Sequence, residues 1–176
     1  MKTLKPLITV LMMFIVFAAM SQTEKDKKII QDADKAKKTL IKADSGLKRF
    51  FKKSAGYAIF PNVGKGGLII GASSGNGVVY EDGAAKGMAG LKKLNVGFQA
   101  GGQSIIEVLF FETKEDLKDF KEGNFAFSAE ASAVAVKSGI AVNAKYKDGV
   151  AVFALPKAGL MADASVGGQK FSYHPF

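Results

Sequence analysis

Gly71-Ala72-Ser73-Ser74-Gly75 satisfies the G-x-S-x-G spacing of a serine nucleophile, and Asp163 and the chain's one histidine, His174, follow it in the order serine, acid, base. The chemistry such a set serves is acyl transfer, in which the imidazole takes the serine proton and the acid orients the imidazole. That chemistry requires a strand turning sharply into a helix, so that the serine stands clear of the backbone. Here Ser73 runs instead into Asn76-Gly77, a hairpin signal, and no H-G-G-type segment precedes it. His174 lies close to the chain end, where backbones fray. Ser73 is read as a turn serine, and the chain as no enzyme.

The glycines of "GKGGLIIGASSGNG" raise a second possibility, a cradle for phosphate. A Walker loop ends in Gly-Lys-Ser/Thr and opens a helix whose N–H groups face the anion. Lys65 is followed by Gly66 and a β-type run, and no helix follows the later glycines either, so nucleotide binding is set aside. With one histidine and no cysteine, a metal site would have to be built from carboxylates, and these show no clustered spacing. Glu107 and Glu130 each stand within an apolar strand; they are read as facing water or filling a polar interior rather than as paired acids. No cofactor is expected.

The same stretch has an architectural reading. "KGGLIIGAS", Lys65 to Ser73, returns as "KAGLMADAS", Lys157 to Ser165, each after a proline and each opening a strand. Two similar strand pairs account for this, with glycines for bends and close packing.

The charge is localised. Of 25 basic and 16 acidic residues, residues 22–53 hold 11 and 5, whereas residues 54–176 hold 12 and 11. Ahead of that basic segment, Lys2 and Lys5 precede the uncharged run "PLITVLMMFIVFAAM". This pattern of positive start, apolar middle and small-residue exit reads as an export signal over residues 1–21, cleaved before Gln22, with an uncleaved membrane anchor as the alternative. The apolar run falls short of the roughly 18 residues of a membrane-spanning helix. The mature protein, residues 22–176, is therefore expected in the periplasm or secreted, soluble or peripheral to a membrane. Without cysteine it has neither disulfides nor an attachment point for a lipid anchor, and is not a lipoprotein.

Residues 22–53 read as helix. Ile29, Ala33, Ala36, Leu40, Ala43, Leu47 and Phe50 recur in steps of three and four, a single stripe flanked by Lys35, Lys37, Lys38 and Lys42. "DSG" at residues 44–46 interrupts it, with Asp44 or Ser45 placed to cap a short second helix, "LKRFFKKSAG". The stripe can pack on a sheet with its lysines solvated, or the segment can lie on an anionic bilayer. In the second case each lysine contributes roughly 1 kcal/mol, and Phe50 and Phe51 enter between head groups.

From Tyr57 onward the period changes to two. "YAIF", "GLIIGAS", "GVVYE", "NVGFQAG", "SIIEVLFFE", "FAFSAEASAVAV", "GIAVNAKY", "VAVFAL", "GLMADASV" and "KFSYH" read as strands. Asn76-Gly77, Asp82-Gly83 and Asp148-Gly149 read as hairpin turns. Thr113 can cap a helix over "KEDLKDFKEG", with Asp116 closing a capping box and Gly123 ending it. Ala129, Ala131, Ala133 and Ala135 put small side chains on one face, favouring a tightly bent sheet. The expectation is one α+β domain. A basic helical region (22–53) packs on a strongly curved, mainly antiparallel sheet, with barrel closure left open, and one further short helix completes the β-rich body (54–176).

In order, these features resemble the SYLF domain. "LKRFFKKSAGYAIFPNVGKGGLIIGASSGNGVV" is similar to that family's opening, where a basic helical stretch leads to an A-x-G-x-A-I-F-P segment, a K-A-G strand and a glycine-rich turn. "SIIEVLFFETKEDLKDF", "SAEASAVAV" and "VAVFALPKAGLMADASVGG" are similar to its later segments, so the likeness runs over about residues 45–173. The resemblance implies a lipid-binding module whose relatives hold phosphoinositides and other acidic lipids through a basic amphipathic segment. Carried over, that role falls on Lys48, Arg49, Lys52 and Lys53, with Leu47, Phe50 and Phe51 as apolar contacts. Lys38 and Lys42 join them from the preceding helix, and Lys65 aligns with the lysine of the K-A-G element. Some relatives bind actin filaments or carry an SH3 domain; an exported chain without that domain is expected to do neither. Nucleic acid is not expected, since the sheet region is nearly neutral. The expected partner is an anionic phospholipid surface; the alternative is a structural or protein-docking module of the cell envelope with no lipid ligand.

Overall fold

The computed structural model describes residues 4–66, 71–95, 104–123, 134–157 and 169–176, with side chains described for residues 24–64, 74–92, 104–123, 134–157 and 169–176. Helix α1 (Leu4–Ala43) and the short α2 (Leu47–Lys53) precede strands β1 (Gly56–Gly66), β2 (Gly71–Glu81), β3 (Ala84–Asn95) and β4 (Ser104–Phe111). Helix α3 (Lys114–Glu122) follows, then β5 (Val134–Ala135), β6 (Val150–Pro156) and β7 (Gln169–Pro175). The seven strands order as β5-β6-β4-β1-β2-β3-β7. All neighbours pair antiparallel except β5 and β6. The α+β expectation holds, as does a mainly antiparallel sheet.

The sheet curls strongly. Gln169 on β7 and Glu107 on β4 are separated by three intervening strands, which in a flat sheet would place them roughly 19 Å apart at ~4.8 Å per strand. Yet the Gln169 amide donates to the Glu107 carboxylate at 3.3 Å. Phe171 on β7 likewise meets Phe60 on β1, ring centroids 5.9 Å apart, and Phe120 on α3 at 5.3 Å. The described strands nonetheless form an open order with β5 and β7 at the edges, so the curl is not a closed barrel among the described residues.

Each face of the curl has its own core. Inside lie Ala58, Phe60, Val79, Leu91, Leu109, Phe111 and Val152, sealed at one end by Leu117 and Phe120 of α3. Outside, Tyr57, Ile59, Val78, Val108, Phe110 and Phe153 receive Ala33, Ala36 and Leu40 of α1 and Leu47 and Phe50 of α2. Alternation along β4 explains the split: Ile106, Val108 and Phe110 face the helices, and Ile105, Glu107, Leu109 and Phe111 face the interior. Glu107 thus fills the polar interior place and is 1% exposed. Glu130, Asp163 and the second copy of the repeated stretch beyond Lys157 lie outside the described residues, as do most of "NVGFQAG", "FAFSAEAS" and "GLMADASV".

Local chemistry ends the elements where expected in three cases. Thr113 and Asp116 form a complete capping box, and Gly123 stops α3 in the left-handed region at φ 75°. Asp82-Gly83, with both φ positive, makes the β2–β3 hairpin. Asp148-Gly149 turns the chain into β6 in the same way.

Other expectations are corrected. Asn76-Gly77 lies inside β2, not at a turn. A Cβ on Gly77 would stand 2.5 Å from the Ile59 carbonyl oxygen, so the glycine serves close approach to β1 beside its bulge. β3 begins with "AAKGMAGLKK", whose small residues hid it as a strand. "GIAVNAKY" is not a strand but turns over residues 138–143 followed by irregular chain to 146, because its backbone groups are engaged by Asp44 at the α1–α2 joint and by Arg49 of α2.

Candidate functional site

Every candidate residue except Lys65 belongs to α1 or α2, and helical geometry sorts them. Around α2, Leu47, Phe50 and Phe51 share one side and Lys48, Arg49, Lys52 and Lys53 the other. Leu47 is 0% and Phe50 3% exposed. Phe50 packs against Phe110, Phe153 and Tyr146 with ring centroids 5.3, 5.1 and 5.4 Å away. Phe51 is half-buried between Tyr57 and Phe110. The expectation that these three supply apolar membrane contacts is corrected: they anchor α2 to the sheet, where burial stabilises each by roughly 1.5–3 kcal/mol.

The cations have the opposite fate. Lys38, Lys42, Lys48, Lys52 and Lys53 are exposed, and among the described residues none of them has a carboxylate at ion-pair distance. Lys52 and Lys53 also sit in the last turn of α2, where the helix dipole favours positive charge. Lys37 is used differently. Its ammonium donates to the Tyr57 hydroxyl at 2.7 Å and lies over the Phe51 and Tyr57 rings. Lys65 is on β1 opposite Ser73; its side chain lies outside the described residues.

Arg49 is fixed. Its Nη2 donates to the carbonyls of Ala141 at 2.8 Å and Ala144 at 2.5 Å, and the guanidinium lies 4.8 Å from the Phe50 ring centre. Asp44, buried at the α1–α2 joint, holds the same turn from the other side. It does not cap α2, whose N-cap is Gly46. Its Oδ2 accepts the Ala141 N–H at 2.7 Å and its Oδ1 the Gly46 N–H at 2.9 Å. Burial pushes this carboxyl upward, but backbone N–H groups of Ala141, Gly46, Gly139 and Ile140 outweigh it and hold the group below its ordinary value.

Between α2 and this turn opens a cleft of about 400 Å³. Arg49, Lys53 and Lys145 bring positive charge to it, Glu112 supplies one carboxylate, and Phe50 and Tyr146 contribute aromatic lining. Burial, with Glu112 adding to it, pushes the Tyr146 hydroxyl up to about 12. Sequence reasoning missed Lys145 and Tyr146 because it reads residues 139–146 as a strand, and Glu112 because nothing in the chain order brings the end of β4 to that stretch. The available signal was three lysines, 137, 145 and 147, bracketing an uncharged "SGIAVNA".

The serine–acid–base set is not assembled. Ser73 sits within β2, so no strand-to-helix elbow presents it. Its row of the sheet runs through Lys93 to Gln169, whereas His174 pairs with Met88, five residues further along β7. At ~3.4 Å per residue the two backbones are separated by roughly 17 Å along the strand direction alone. Asp163 lies outside the described residues. Among the described residues, no group of histidine, aspartate and glutamate is placed to hold a metal ion. Nor, among them, is any helix long and apolar enough to cross a membrane.

Residues 92–174, from the end of β3 to β7, match the model of the Ysc84 family, described as Las17-binding protein actin regulator. The chain is also similar to Beta cell expansion factor A of Aeromonas veronii, 29% identical over 117 residues. That alignment covers 65% of this chain and 44% of the relative, so the chain spans less than half of that protein's length.

Proposed function

Taking residues 92–174 as a Ysc84-type (SYLF) segment, we propose that this protein is a non-enzymatic module that binds anionic phospholipid at a membrane surface. The observation that carries the reading is the outer face of α2. Lys48, Lys52 and Lys53 stand exposed on a helix anchored by its apolar side, with no carboxylate paired to them among the described residues. Lys38 and Lys42 extend the positive surface onto α1. A rigidly held cationic surface meets acidic head groups without ordering a flexible segment first. The apolar residues that begin the chain support an exported location, periplasmic or secreted, where acidic phospholipid is the available ligand class.

Co-sedimentation with vesicles tests this. The mature chain is expected to pellet with phosphatidylglycerol vesicles and not with phosphatidylcholine ones, and to release as salt rises. Joint replacement Lys48→Glu, Lys52→Glu and Lys53→Glu is expected to abolish recovery while leaving the circular dichroism spectrum unchanged. Equal recovery on both vesicle types would favour the alternative, a protein-docking module of the cell envelope.

A further inference from the structure

Three large apolar side chains are exposed among the described residues: Ile140 at 42%, Val142 at 58% and Phe176 at 64%. Phe176 ends the chain. Ile140 and Val142 are a different matter, because they flank Ala141, which is fully buried. The backbone between them is fixed by Asp44 from one side and Arg49 from the other. Bonds from Asn143 N–H to the Ile140 carbonyl and from Ala144 N–H to that of Ala141 close the turn on itself. A fold that engages this backbone so fully, yet leaves the two adjoining side chains in water, holds them out.

Charge surrounds them. Lys137 and Lys145 lie on either side in sequence and are exposed. The neighbouring cleft adds Arg49 and Lys53 against the single carboxylate of Glu112. Arg49 bonds the turn through Nη2 alone in the contacts that fix it, which leaves Nε and Nη1 for a further acceptor. Exposed apolar side chains flanked in sequence by lysines, next to a cleft of mainly positive charge, fit the boundary between acyl chains and phosphates.

We propose that the turn over residues 139–145 is the membrane-entering tip of this protein. Ile140 and Val142 pass below the head groups of an anionic bilayer, and a lipid phosphate seats in the Arg49–Lys53–Lys145 cleft. The proposal rests on the lipid-surface reading and gives it a point of entry that α2 does not supply.

The chain has no tryptophan, so Ile140→Trp and Val142→Trp each create a single reporter, with Phe176→Trp as the comparison. On vesicles containing brominated phosphatidylglycerol, the first two are expected to shift to the blue and be quenched, and the third to do neither. Ile140→Asp with Val142→Asp is expected to lower vesicle recovery by about tenfold with an unchanged thermal midpoint. If these variants pellet as the unaltered chain does while residues 140 and 142 keep water-exposed emission, the tip is overturned and the surface reading stands. If the unaltered chain does not pellet with acidic vesicles at all, both fall. A fluorescence response to inorganic phosphate alone, with none to vesicles, would assign the cleft to a free anion and overturn the tip.

Discussion

Asp44 and Ala141 are 97 residues apart in the chain and joined by a 2.7 Å hydrogen bond from the Ala141 N–H to the Asp44 carboxylate. The same carboxylate accepts the Gly46 N–H, so one buried group ties the joint between the helices to the turn that lines the cleft. The turn's position is therefore decided by the helices, and its own residues do not encode it.

Asp44→Ala removes that tie and strands two backbone donors, each costing about 1–3 kcal/mol when left unsatisfied. The expected outcome is a lower urea midpoint, with faster amide exchange concentrated at Gly139 to Ala144. Uniform acceleration across the sheet would contradict a local clamp.

Acid should weaken the fold in a defined window. The Asp44 carboxyl is held below its ordinary 3.8 by the backbone donors that outweigh its burial. The Glu81 carboxyl is held below 4.5, first by the hydrogen bond from Lys121 at 2.6 Å. Groups whose values fall on folding stabilise the protein above their unfolded values, and that contribution is lost as pH drops through the folded ones. Thermal midpoints are expected to hold from pH 7 to about 5 and to fall below 4. Asp44→Asn should flatten part of that fall.

Alkali gives the opposite sign. Tyr146 is raised from 10.0 to about 12, so its contribution is complete below pH 10 and disappears as pH rises from 10 to about 12. Absorbance at the phenolate band should show a tyrosine step at about 12 that Tyr146→Phe removes, while Tyr80, pushed higher still by burial and by Asp34, continues to titrate above it.

Phe50→Ala separates a core residue from a lipid contact. Because the ring packs against Phe110, Phe153 and Tyr146, truncation is expected to cost about 3–5 kcal/mol in denaturant unfolding. Loss of vesicle recovery with stability unchanged would put the ring back at the surface.

Gly77→Ala should destabilise by about 1–3 kcal/mol, since the added carbon meets the Ile59 carbonyl and the Phe60 ring. Gly83→Ala, at φ 78° in open space, should cost less and act only through the backbone.

Much of the architecture is readable along the chain because it is periodic. The spacing of Ala33, Ala36 and Leu40 marks the buried face of α1, and Thr113, Asp116 and Gly123 mark both ends of α3. Period and capping are local properties, so residue type alone carries them. β3 escaped because Ala84, Ala85, Gly87, Ala89 and Gly90 are too small to show alternation. Asn76-Gly77 misled because a close strand approach and a tight turn ask for the same residue.

What the sequence by itself determined was the gathering of positive charge before residue 54, the helix stripe, the alternation of the strands with large side chains and the SYLF likeness, since each depends only on residue order. Which side of α2 faces solvent was decided by tertiary structure, because only the sheet supplies Phe110 and Phe153 for Phe50 to pack against. The curl that brings Gln169 to Glu107, and the clamp that sets Ile140 and Val142 beside Lys145, were decided there too. Hydrogen bonds and ring contacts between residues many positions apart leave no period in the chain.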